Sequence, residues 1–116
     1  MKLQIDGPRL RLRLAEDELA RLLRDRHLEA HLPCPNGGQA RRAIVLEDGL
    51  AEANCDGDLM DLRVRLPLAA FLGFTAERPR RDGFSFAIRA LEVSIEVDVR
   101  DSRKRMQLER ENKKPR

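Results

Sequence analysis

Tryptophan and tyrosine are absent from this 116-residue chain, and four phenylalanines are its whole aromatic content. Single strands of nucleic acid are usually gripped by bases stacked on aromatic rings, so that mode has little material here. Two cysteines, Cys34 and Cys55, are too few for a disulfide framework and are expected to remain thiols in a reducing compartment. No apolar run approaches the ~18 residues of a membrane span. The opening Lys2–Asp6 (KLQID) reads as a strand rather than a signal peptide. The expectation is a cytoplasmic protein with no membrane partner. Catalytic signatures are also missing. There is no G-x-S-x-G elbow, Ser85, Ser94 and Ser102 have no histidine near them in sequence, and Asn36-Gly37-Gly38 is a turn rather than a phosphate loop. No cofactor is implied, and the chain is not expected to be an enzyme.

Charge is plentiful but unevenly placed. Residues 103–116 hold seven basic and two acidic side chains, a balance of +5 against +3 for the whole chain, so residues 1–102 carry −2. The basic character therefore belongs to the end of the chain. Residues 1–102 read as a single domain of ordinary size and 103–116 as a solvated, disordered basic tail.

Within the first 102 residues, hydrophobic periodicity predicts an α+β fold. The reading is a mainly antiparallel sheet or small barrel with two short helices. Leu10, Leu12 and Leu14 alternate with Arg9, Arg11 and Arg13 after the turn Asp6-Gly7-Pro8, which predicts a hairpin with one wet face. Residues 15–24 carry acids first and arginines last around Leu19, Leu22 and Leu23, the order that a helix dipole favours. Residues 27–32 return to alternation, and the apolar run in 42–47 predicts a central strand. A second hairpin is expected across Asp56-Gly57-Asp58, with Leu62, Val64 and Leu66 inward. Pro67 then opens a short helix over 68–72 that Gly73 ends. In residues 84–99, read as one long strand region, the alternation changes parity near Arg89-Ala90, which predicts a bulge or bend.

The segment RLRLRLAEDELARLL (9–23) aligns without a gap on DLRVRLPLAAFLGFT (61–75) at an offset of 52 residues. This predicts two related β-β-α-β halves about a pseudo-twofold axis. The alternative is that strand-then-helix segments in an Arg/Leu-rich chain resemble one another without kinship.

The opening MKLQIDGPRLRLRLAEDEL has the form M-K-[IL]-x-I-x-G-x-x-[IL]-R-x-R-L followed by an acidic helix. It resembles a family of uncharacterised small bacterial proteins, a domain of unknown function, and the likeness runs in weaker form to residue 99. The resemblance implies a fold boundary and no activity. Past Val99, DSRKRMQLERENKKPR replaces the cysteine-containing end of those relatives. The segment RVRLPLAAFLGF is also similar to the strand-Pro-helix of swapped-hairpin transcription factors, without their glycine-aspartate step.

Three functional readings follow. The first is a small interaction module that binds without catalysis and pairs with itself as a homodimer. The second is a weak, non-specific nucleic-acid binder. It would use Arg9, Arg11, Arg13, Arg63 and Arg65, if the two hairpins are neighbours, together with Arg103, Lys104 and Arg105. Those strand arginines could instead pair with Glu92, Glu96 and Asp98 on the sheet face. The third is a metal site. His27, His31 and Cys34 have H-x3-H-x2-C spacing and Cys55 could close a four-ligand set, because imidazole and thiolate suit zinc.

Overall fold

A computed structural model describes residues 1–77 and 83–98. The expected basic tail and the end of the last strand region lie outside the described residues. The elements are β1 (Lys2–Asp6), β2 (Arg9–Leu14), α1 (Glu16–Asp25), β3 (His27–Pro33), β4 (Gln39–Glu47), β5 (Asn54–Gly57), β6 (Asp61–Pro67), α2 (Leu68–Ala76), β7 (Phe84–Ile88) and β8 (Leu91–Val97).

The strands form two four-stranded sheets, in the orders β1-β2-β8-β7 and β3-β4-β6-β5. The four hairpin pairings are antiparallel, and the two central pairings, β2 with β8 and β4 with β6, are parallel. The fold is α+β with antiparallel pairing dominant. The chain is also two topologically equivalent β-β-α-β-β halves, one strand longer per half than the sequence echo suggested. Each sheet joins the first hairpin of one half to the second hairpin of the other. Neither half can complete a sheet alone.

Strand alternation delivers the core. Leu12, Leu14, Val64 and Leu66 are fully buried in one cluster with Ile44, Val93 and Ile95, and Leu12 lies opposite Ile95 as Val64 lies opposite Ile44. The two inward faces share a core, as their period-two pattern predicts. Helix α1 adds Leu19 and Leu22 to it. Its N-cap position is Ala15, which has no capping side chain. Glu18 Oε1 supplies the reciprocal bond instead, accepting the Ala15 amide at 3.0 Å.

Three local expectations are corrected. Helix α2 passes through Gly73 to Ala76, because Phe74 is buried and its ring sits 5.7 Å from Phe71 and 5.8 Å from Phe84. That burial offsets the roughly 1 kcal/mol that a helical glycine costs. The parity change at Arg89-Ala90 is a hairpin turn, which divides the one strand region expected there into β7 and β8. Ile88 faces Leu91 across it, and Arg89 takes the left-handed conformation, φ 53°. The turn of the second hairpin lies at Asp58-Leu59-Met60, two residues later than Asp56-Gly57-Asp58 suggests, and β5 is a strand of 4 residues.

Candidate functional site

Three strand connections meet at one end of the molecule: β1–β2 at Gly7, β5–β6 at Asp58–Met60 and β7–β8 at Arg89-Ala90. The Glu92 amide donates to the Pro8 carbonyl at 3.0 Å and so fixes the β7–β8 turn beside the β1–β2 turn. Between them and the β5–β6 hairpin lies a cleft of about 820 Å³. Its floor is Leu10 and Leu62, both buried, and its walls are Ile5, Cys55, Leu59, Ile88 and Leu91. Charge sits on opposite sides. Arg9 and Arg89 come from the β1-β2-β8-β7 sheet, and Asp56 and Asp58 from β5 and its turn.

Backbone chemistry sets the rim. Gly57 has φ +91°, and a Cβ there would lie 2.0 Å from the Asp61 carbonyl oxygen, so only glycine lets the hairpin close this tightly. Asp58 Oδ1 then accepts the amides of Met60 (2.8 Å) and Asp61 (3.0 Å), an Asx turn. This turn holds Leu59 and Met60 at its apex, 56% and 49% exposed. Ile5, across the cleft, is 59% exposed. Strand alternation puts Leu3 and Ile5 on one face. Leu3 does pack against the core, but Ile5 sits where the sheet overhangs the cleft. Arg89 and Leu59 were missed as well, because their positions follow from turn geometry that the hydrophobic pattern does not encode.

The half-buried Cys55 thiol is pushed upward in pKa, first by burial and then by the neighbouring Asp56 charge. It therefore stays protonated at neutral pH and is a poor nucleophile.

The arginines of the nucleic-acid reading lie on two different sheets, Arg9, Arg11 and Arg13 on β2 and Arg63 and Arg65 on β6. They do not form one stripe within a sheet. Most have carboxylate partners. Arg11 donates through Nε and Nη2 to Glu96, both at 2.7 Å, and Arg13 Nε lies 3.9 Å from the same carboxylate. Arg9 Nε lies 3.9 Å from Glu92. Arg65 makes a two-pronged pair with Glu47 at 2.7 and 2.9 Å. Beside Glu96, Ser94 is fully buried and donates to it at 3.3 Å. Hydrogen bonding from Arg11 holds the Glu96 carboxyl below the usual range, and Arg65 does the same for Glu47. Arg63 is exposed. Arg103, Lys104 and Arg105 lie outside the described residues.

The metal-ligand set is dispersed. His27 and His31 are exposed on β3, where His31 Nε2 meets Glu29 Oε2 at 3.0 Å. Hydrogen bonding from His31 lowers the Glu29 pKa. Cys34 Sγ donates to the Leu32 carbonyl at 3.7 Å in the loop that follows. Cys55 lies on β5, at the opposite edge of the four-stranded sheet. Three strand spacings of ~4.8 Å separate the two edges, well beyond one ion's reach. Among the described residues no group of three or more His, Cys, Asp and Glu side chains is arranged to hold a metal. No described helix is long and apolar enough to cross a membrane.

Comparison with protein-family models, with curated proteins and with solved structures finds no match to this chain.

Proposed function

We propose that this protein is a non-catalytic binding module of the cytoplasm that associates with itself, and that the cleft between its hairpin ends is the binding surface. One observation carries the proposal: an open cleft of about 820 Å³ with an apolar floor and a few charges on its rim. Volumes of roughly 300–1,000 Å³ with that lining are typical of binding sites. Ile5 and Leu59 add exposed aliphatic surface to that lining. The nucleic-acid reading has less support, because Arg11 and Arg65 would have to exchange two-pronged carboxylate pairs for phosphate.

The test uses anilinonaphthalene sulfonate, an apolar anion that fluoresces when it leaves water, with dilute protein. Saturable binding is expected, and Leu59→Glu should abolish it. Leu32→Glu and Leu72→Glu should leave it intact, since those leucines are also exposed but lie outside the cleft. Equal losses from all three substitutions, or no saturable binding, would refute the assignment.

A further inference from the structure

We infer that the partner of the cleft is a second copy of this chain, docked about a two-fold axis through the cleft. This rests on the cleft being the binding surface. The two sides of the cleft are complementary to each other. One side, built on β1, β2 and the β7–β8 turn, presents an exposed aliphatic chain, Ile5, with the cations Arg9 and Arg89. The other, built on β5 and its turn, presents an exposed aliphatic chain, Leu59, with the anions Asp56 and Asp58. In a two-fold interface residue i meets residue j and j meets i. Rotating a second copy by half a turn over the cleft sets each cationic side on an anionic side and brings aliphatic rims together.

Arg9 already faces Glu92 at 3.9 Å within its own sheet, so the charges left to act across the interface are Arg89, Asp56 and Asp58. Among the described residues neither Arg89 nor Asp56 is in an ion pair. Asp58 is committed to its turn through one oxygen only. Arg89 is held at φ 53°, a conformation that non-glycine residues seldom adopt. Here the turn places an exposed cation in the lining of the cleft, where a glycine turn would present none. The cleft is lined by 14 residues, below the ~20–30 a side of a standard stable interface. The dimer is therefore weak, with a dissociation constant on the order of micromolar.

Sedimentation velocity on the full chain, from about 5 to 500 µM to bracket that affinity, tests this with charge reversals. The wild type should shift from monomer towards dimer. Arg89→Asp and Asp56→Arg should each weaken association at least tenfold, since each homodimer then holds two like-charged contacts. Aspartate tolerates the left-handed conformation and Asp56 is exposed on an edge strand, so both variants should fold, which far-UV circular dichroism checks. Mixing the two single variants should restore association as a heterodimer, and the double variant R89D/D56R should restore it as a homodimer. Leu59→Ser, which leaves every charge in place, should weaken association at least fivefold. A protein that stays monomeric throughout the range while binding the fluorescent anion would overturn the second copy and leave the cleft reading intact. Association insensitive to the reversals, or not restored by mixing, would overturn the two-fold placement.

Discussion

Truncating Leu12 to alanine removes three carbons from the centre of the shared core. Leu12 is fully buried, opposite Leu3 on one neighbouring strand and Ile95 on the other. Its surroundings are backbone-tethered sheet residues that cannot collapse far into the void. The cost should therefore fall within the ~2–5 kcal/mol of buried leucine truncations. Val64, the topological equivalent in the other half, is also fully buried. Val64→Ala removes two carbons, about 1.6 kcal/mol at ~0.8 per carbon before any cavity cost. The ranking Leu12→Ala above Val64→Ala should hold, with both far above Leu32→Ala, whose side chain is 55% exposed. With no Trp or Tyr in the chain, unfolding is best followed by far-UV circular dichroism in urea. At a slope of ~1–3 kcal/mol per molar, a loss of ~3.5 kcal/mol moves the midpoint by roughly 1.2–3.5 M. A loss below about 0.5 kcal/mol at Leu12, the size expected of a surface change, would mean that the arginine face of β2 and not the leucine face is inward.

Other consequences are as direct. Gly83→Ala should destabilise by about 1–3 kcal/mol, because its Cβ would meet Ser94 Oγ at 2.4 Å and the Ile95 carbonyl oxygen at 2.9 Å; an unchanged melting temperature would refute that close approach. Glu96, Glu47 and Glu29 all have lowered pKa values in the fold. Their contribution is complete above the ordinary glutamate pKa of ~4.3 and is lost as pH falls through the lower folded values. Melting temperature should accordingly drop below about pH 4, and Glu96→Gln should flatten that drop; a variant with the wild-type slope would count against the Arg11–Glu96 pair. Alkylation of Cys55 at pH 8 should be much slower in the folded than in the urea-unfolded protein, and equal rates would contradict its protonated, half-buried state.

The alternations of Leu10-Leu12-Leu14 and Leu62-Val64-Leu66 made the core legible in the sequence, since period-two burial leaves a direct trace. The 52-residue offset likewise pointed to the two equivalent halves. Strand order was not legible. Nothing local says that β2 pairs with β8 of the other half, because that parallel contact is set by how two incomplete sheets complete each other. The cleft was hidden for a related reason. Its rim residues Leu59 and Arg89 sit in turns, Ile5 belongs to an alternation that elsewhere points inward, and their convergence depends on three hairpin ends meeting in space. The arginine face was half legible. Pairing with Glu92 and Glu96 was one of two readings of the pattern, and the register Arg9 to Glu92 and Arg13 to Glu96 produces it.

The most direct measurement of the cleft as the self-association surface is a dilution series followed by backbone amide chemical shifts. Between high and low protein concentration, shifts should concentrate at Ile5, Gly7, Asp58, Leu59, Arg89 and Ala90, around the cleft. The amides of β3, an edge strand on the opposite side of its sheet from β5, should stay fixed. Shifts confined to His27–Pro33 with a silent cleft would contradict the assignment and make the β3 edge the interface.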